Sequence, residues 1–117
     1  MYEHMPKLDE IIDFFKTENL YKIDENRILE MYHLLANPNL KLDTNEEFLD
    51  YTNQESNVTS IANIIKEVFG YSRFAWTKEE DKVIDTIHQV GAIFIDNQIT
   101  MKPKIPFYIM VLDKLRD

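Results

Sequence analysis

Apolar residues recur at helical spacing in four segments of this 117-residue chain, and this periodicity limits the possible folds more than any other feature. In the first segment the spacing is i, i+3, i+4 and i+7, which places the side chains on one face of an α-helix. The four stripes are Leu8, Ile11, Ile12 and Phe15; Ile28, Met31, Tyr32 and Leu35; Val58, Ile61, Ala62, Ile65 and Val68; and Val83, Ile84, Ile87, Val90 and Phe94. Each stripe predicts a helix that buries one face.

Residues that favour helix ends stand beside the first three stripes. Pro6 suits the first turn of the first helix, which is expected to end near Asn19. Asp24 suits the N-cap of the second helix, which Asn37-Pro38 is expected to end. Gly70 follows the third stripe and predicts a left-handed C-terminal cap there.

Two sequences of the capping-box type predict further helix starts. In Thr44-Asn45-Glu46-Glu47, the threonine and the last glutamate can satisfy each other's free backbone donors. Phe48 and Tyr51 follow at helical spacing, so a short additional helix is predicted here. Thr77-Lys78-Glu79-Glu80 predicts the start of the helix that carries the fourth stripe.

The segment from Gly91 to Met101 is compatible with two structures. A helix would extend the fourth stripe through Phe94. Alternatively, Ala92 to Ile95 and Gln98 to Met101 would form a β-hairpin around Asp96-Asn97. We favour the helix, because Asp-Asn is a weaker hairpin turn than Asn-Gly.

A last helix is predicted from Pro106 to Leu115. It is apolar on nearly every side from Phe107 to Leu112, so it has to be buried in the bundle or against a partner. The chain contains only two glycines and four prolines, few for the turns of an all-β protein. The sequence therefore predicts an all-α fold, a single-domain bundle of five or six helices over residues 1–117. An α+β fold with a β-hairpin near 91–101 is the alternative.

The charge of the chain limits its partners. Thirteen Lys and Arg residues oppose 21 Asp and Glu residues, giving a formal net charge of −8. This charge repels nucleic-acid phosphates and anionic lipids and attracts basic proteins, so neither nucleic acid nor a membrane is expected as a partner. The longest apolar run, Ile105 to Leu112, is far shorter than a membrane span. With no cysteine and no apolar leader, the sequence predicts a cytoplasmic location.

One segment resembles a known family. Trp76-Thr77-Lys78-Glu79-Glu80-Asp81, followed by Val83, Ile84, Val90 and Gly91, is similar to the first helix of a Myb/SANT repeat. Such repeats continue with two more helices that carry spaced tryptophans and a basic recognition surface. Residues 92–117 contain no tryptophan and four basic residues. The resemblance is limited to a helix start, and DNA binding is not predicted from it.

Two carboxylate-x-x-His steps, Glu30 to His33 and Asp85 to His88, resemble the ligand spacing of di-iron bundles. Helical winding places both steps off the apolar stripes and therefore towards solvent. The chain also has no glycine-rich phosphate loop and no serine-nucleophile motif. We therefore predict no metal, no cofactor and no catalytic residues.

The segment from Phe69 to Trp76 contains four aromatic residues and an arginine. Such residues are typical of protein-binding hot spots, although a loop that packs its rings into the core has the same composition. Acidic pairs could contact a basic partner, although they also suit the first turns of helices. The candidate partner-binding residues are Tyr71, Arg73, Phe74, Trp76, Glu46, Glu47, Asp50, Glu79, Glu80 and Asp81.

These features predict an acidic protein-binding module that is not an enzyme. The expected class is an immunity protein, antitoxin or inhibitor that neutralises a basic partner such as a nuclease toxin, with carboxylates mimicking phosphate. One alternative is a small helical enzyme or ligand-binding protein with a pocket near Tyr32, His33 or His88. Another is a self-associating structural or regulatory subunit, in which the C-terminal helix would mediate a homodimer.

Overall fold

The fold consists of five α-helices and one short strand pair within the part of the chain that the structure describes. This structure is a computed structural model that describes residues 6–37, 40, 48–49, 55–72, 76, 79–99 and 102–116. The elements are α1 (Leu8–Glu18), α2 (Glu25–Leu35), β1 (Phe48–Leu49), α3 (Glu55–Tyr71), α4 (Glu80–Asp96), β2 (Lys102–Pro103) and α5 (Lys104–Leu115). The predicted all-α fold is confirmed.

Helix α5 lies at the centre of the bundle. Every residue from Lys104 to Leu112 is buried, and Phe107 and residues 109–112 have no exposed surface. Helices α1, α2 and α4 pack around it, as a helix that is apolar on all sides requires. The apolar surface on which the homodimer hypothesis depended is therefore already covered within one chain.

The first two helices follow the sequence pattern closely. Helix α1 buries Ile11 and Phe15 and ends at Asn19, whose φ of 50° takes the chain out of the helix. Helix α2 begins after Asp24 and buries all four residues of its predicted stripe. The Tyr32 hydroxyl donates a hydrogen bond of 2.6 Å to the carbonyl oxygen of Pro6, which holds the chain before α1 against α2.

Helix α3 confirms the third stripe but does not end where its glycine predicted. All five stripe residues are buried, whereas the helix continues through Gly70 to Tyr71. The predicted left-handed cap is wrong, because Gly70 has no positive φ. Glycine permits the left-handed conformation without requiring it, so its presence alone did not determine the helix end.

Helix α4 resolves the choice between helix and hairpin at residues 91–101. It runs to Asp96, so the hairpin around Asp96-Asn97 is wrong. Phe94 is fully buried and stacks on Phe107 of α5 with ring centroids 5.6 Å apart, a contact that the helical geometry makes possible. The helix begins at Glu80, after Glu79 in the N-cap position, while Thr77 and Lys78 lie outside the described residues.

The short helix predicted around Phe48 is also wrong. Phe48 and Leu49 form β1, which pairs antiparallel with β2 in the register Phe48 to Pro103 and Leu49 to Lys102. A helix of this length is marginal without tertiary packing, whereas the strand pair docks this segment beside α5. Residues 41–47 and 50–54, including Tyr51 and the predicted capping box, lie outside the described residues.

Replacing Gly70 by alanine is expected to stabilise the protein. Gly70 is exposed and helical, and a β-carbon there would meet no other atom within 4 Å. The free energy of unfolding should rise by roughly 0.5 to 1 kcal/mol in urea denaturation, because alanine restricts the unfolded chain and favours the helix.

The matched control is Ala92→Gly at an exposed position of α4, which should lower the free energy of unfolding by a similar amount. If Gly70→Ala destabilised the protein, the helical assignment of the last turn of α3 would be contradicted.

Candidate partner-binding surface

The solvent side of α4 combines acidic residues with one exposed apolar side chain. The exposed residues of α4 are Glu80, Asp81, Lys82, Asp85, Gln89, Ala92, Ile95 and Asp96. All of these except Glu80 and Lys82, which form salt bridges with Lys66 and Glu79, are called here the α4 outer face. The opposite side buries Val83, Ile87, Val90 and Phe94 in the core, which fixes the direction of the outer face. Ile95 is 58% exposed, the largest exposure among the large apolar residues that the structure describes.

The spacing along the α4 outer face determines how its charges act. Asp81 and Asp85 are one turn apart, about 6 Å along the axis. This separation is shorter than the ~8 Å screening length at physiological salt, so the two carboxylates act electrostatically as one negative site. Asp96 lies beside Ile95 at the other end of the face, about 22 Å from Asp81 along the axis. The face is therefore long enough to contact an extended basic surface.

Helix α1 carries a second set of exposed carboxylates, namely Asp9, Glu10, Asp13 and Glu18. It lies beside the C-terminal half of α4, because the ring of Phe14 stacks on Phe94 with centroids 6.3 Å apart. The lysine of α1, Lys16, forms a 2.7 Å salt bridge with Glu25 of α2. None of the four α1 carboxylates forms an ion pair with another residue in the described ranges.

Several basic side chains are turned inward, which makes the surface more acidic than the net charge alone suggests. Lys102 and Lys104 are both only 7% exposed. Arg27 and Arg116 lie in part-buried ion pairs with carboxylates of neighbouring helices. These four cations contribute little to the outer surface, whereas most carboxylates of α1 and α4 face solvent.

The predicted acidic residues at the start of α4 are exposed, but two of them are already paired. Glu80 forms a 3.0 Å salt bridge with Lys66 of α3, and Glu79 lies 3.8 Å from Lys82. Asp81 has no such pairing among the described residues. The other predicted acidic residues, Glu46, Glu47 and Asp50, lie outside the described residues.

The predicted aromatic site is divided by the structure. Tyr71 is 49% exposed at the end of α3, whereas Trp76 is buried. The Trp76 ring stacks on Phe69 with centroids 4.9 Å apart, and its backbone pairs with Arg116. Trp76 therefore packs in the core, the alternative that the sequence left open for this segment. Arg73 and Phe74 lie outside the described residues.

Sequence reasoning missed Asp85, Ile95 and Asp96 as members of a candidate surface. Asp85 was considered only as a metal ligand, and the other two lie in the segment where the helix end was uncertain. Continuing the helix of the fourth stripe through Asp96 would have identified Ile95 as exposed. It follows the buried Phe94 by one position, and successive helical residues point in different directions.

The possible metal ligands do not form a cluster. Glu30 accepts a hydrogen bond of 2.7 Å from Nη1 of Arg116, while His33 and Asp85 are exposed. Across the described residues, no group of three or more His, Cys, Asp or Glu side chains is placed to hold a metal ion. At the position of the predicted pocket near Tyr32 and His33, Tyr32 is buried, and its hydroxyl donates a hydrogen bond to the carbonyl oxygen of Pro6.

The last turn of α5 ties the loop between α1 and α2 to the core. The Tyr21 hydroxyl donates a 2.6 Å hydrogen bond to Oδ2 of Asp113, and Nε of Arg27 donates one of 2.8 Å to Oδ1. Burial, and then the hydrogen bond to Asp113, raise the pKa of Tyr21 above its ordinary range. Burial alone raises the pKa of Tyr108 in α5 in the same direction.

The raised pKa values of Tyr21 and Tyr108 lead us to expect a loss of stability at alkaline pH. Above pH 10 the unfolded tyrosines release their protons, while the folded ones keep them because their pKa is raised. The native state then binds more protons than the unfolded state, so the free energy of unfolding falls as pH rises. Urea denaturation at pH 9 and pH 11 should show this fall in the wild type and a smaller one in Tyr21→Phe/Tyr108→Phe. An equal fall in both proteins would contradict the assignment.

Comparison of the chain with protein-family models, curated proteins and solved structures found no match. Among the described residues, no helix has both the length and the apolar character needed to cross a membrane.

Proposed function

We propose that this protein is an acidic binding module that recognises a basic protein through the α4 outer face. The observation that carries the proposal is the state of three carboxylates. Asp81, Asp85 and Asp96 are exposed and form no ion pair within the described ranges, while several of the protein's cations are buried or paired. Binding a basic partner would give these carboxylates the counter-charges that the described part of the chain does not supply.

The physical properties of this face suit a protein partner. The net charge of −8 accelerates association with a cationic surface, and this acceleration decreases as the salt concentration rises. Carboxylates on a folded helix are fixed in place, so little ordering is needed on binding. Ile95 adds an exposed apolar contact beside Asp96, and such contacts contribute affinity that charge alone does not provide.

The partner class that fits best is a nucleic-acid enzyme, in particular a nuclease-type toxin. Such an enzyme presents cations that attract phosphates, and a row of helical carboxylates offers the same sign of charge without a cleavable bond. The protein would then act as an immunity protein, antitoxin or inhibitor by occupying that surface. Direct competition with nucleic acid follows from this mechanism.

Neutralising the α4 outer face is expected to weaken capture of the partner. Full-length tagged protein is incubated with lysate of the native organism, and bound proteins are identified by mass spectrometry. The wild type should retain a protein of net positive charge whose affinity falls as salt rises. The variant Asp81→Asn/Asp85→Asn/Asp96→Asn should bind this protein about ten-fold more weakly, since three charge contacts of about 0.5 kcal/mol each are lost.

The matched control is Asp9→Asn/Glu10→Gln/Asp13→Asn, which changes the net charge equally on α1. It should retain the partner, and circular dichroism should show both variants folded. Equal loss in both variants would show that net charge rather than the α4 face determines binding. Undiminished binding by the α4 variant, or affinity independent of salt, would overturn the proposal.

Inhibition separates the narrower class from general binding. Added in equimolar amount, the wild type should block nucleic-acid cleavage by the captured partner, and the α4 variant should not. A captured partner without nucleic-acid activity would refute the toxin or nuclease class while leaving the binding surface supported.

A further inference from the structure

A groove of about 290 Å³ lies between α1, α2 and the loop that joins them. Its floor consists of apolar side chains from three places, namely Ile12 and Phe15 of α1, Ile23 of the loop and Ile28 of α2. Phe15 and Ile28 belong to the core, with exposures of 5% and 2%. The floor is therefore a rigid apolar surface and not a loose surface patch.

The rim of this groove carries two lysines and one carboxylate, a local excess of one positive charge, in contrast to the acidic outer faces of α1 and α4. Lys16 and Lys22 both line it, opposed by the carboxylate of Glu25. Lys16 is held by Glu25 at 2.7 Å. Lys22 is exposed and forms no ion pair with any other described residue, so its ammonium group is available to a ligand.

One wall of the groove is fixed by the end of α5. Tyr21 lines the groove, and its hydroxyl is bonded to Asp113, which Arg27 also holds. The ammonium group of Lys114 lies 5.7 Å from the centre of the Tyr21 ring. The loop that carries Lys22 is therefore anchored next to Tyr21, and a ligand would meet a site that is already formed.

We propose that this groove binds a small amphipathic carboxylate. The apolar part of the ligand would cover Ile12, Ile23 and the core residues beneath them, and its carboxylate would pair with Lys22 at the rim. A volume of 290 Å³ is at the lower end of ligand pockets and accommodates on the order of ten non-hydrogen atoms. A neutral or cationic amphiphile of the same length lacks the pairing with Lys22.

Glu25 gives the proposal a second, independent consequence. Its carboxylate forms a salt bridge with Lys16 and repels an incoming anion. Replacing Glu25 by glutamine removes the repulsion and releases Lys16 towards the groove. Two substitutions at the same rim are thus expected to change affinity in opposite directions, Lys22→Gln weakening binding and Glu25→Gln strengthening it.

The test is a titration of the full chain with sodium octanoate, followed by NMR chemical-shift changes. Saturable binding with a Kd below about 5 mM is expected, with the shifts concentrated at groove residues. Lys22→Gln should weaken binding about three- to five-fold, as loss of one partly exposed charge contact does, and Glu25→Gln should strengthen it about two-fold or more. Octyltrimethylammonium should bind more weakly than octanoate.

The matched control is Lys7→Gln, which removes an exposed lysine outside the groove and should leave the Kd unchanged. Because a protein with a charge of −8 repels anions in general, saturable octanoate binding reports a locally positive site. The proposal is overturned by absence of saturation, by tighter binding of the cationic amphiphile, or by equal effects of Lys22→Gln and Lys7→Gln.

Discussion

Burial of α5 from Lys104 to Leu112 is the constraint on which the rest of the structure depends. A helix that is apolar around its whole circumference is stable only if other elements cover every side. Each large side chain that it buries contributes about 1.5 to 3 kcal/mol, so no other single element of the described fold stabilises the protein as much. Helices α1, α2 and α4 each have one apolar face, and each of them packs against α5.

The polar residues at the end of α5 determine where the charge of the protein lies. Asp113 accepts hydrogen bonds from Tyr21 and Arg27. Arg116, which directly follows α5, donates one to Glu30, so two arginines are held in part-buried ion pairs at this end of the helix. Carboxylates of α1 and α4 remain outside, where they face solvent. The same interactions fix the loop that carries Lys22. An acidic outer surface and a locally basic groove thus have a common structural origin.

Features set by local periodicity could be predicted from the sequence, and features set by long-range packing could not. The buried stripes around Ile28, Ile65 and Ile87 followed from spacing alone, because one-sided burial requires that spacing. The strand at Phe48, the helical Gly70 and the burial of Trp76 against Phe69 depend on segments distant in sequence or on packing. Of the candidate surface, Asp81 was predicted, whereas Ile95 and Asp96 required the true end of α4.

The order of the helices along the chain has a consequence for synthesis on the ribosome. Helices α1, α2 and α4 all emerge before α5, so the apolar surfaces that pack on α5 in the folded protein stay uncovered by it until it has been synthesised. Eighty residues separate the end of α2 at Leu35 from the end of α5 at Leu115. At about 5 to 20 residues per second, the nascent α1–α2 hairpin waits roughly 4 to 16 s for its central helix. During that interval a chaperone could bind its exposed apolar faces.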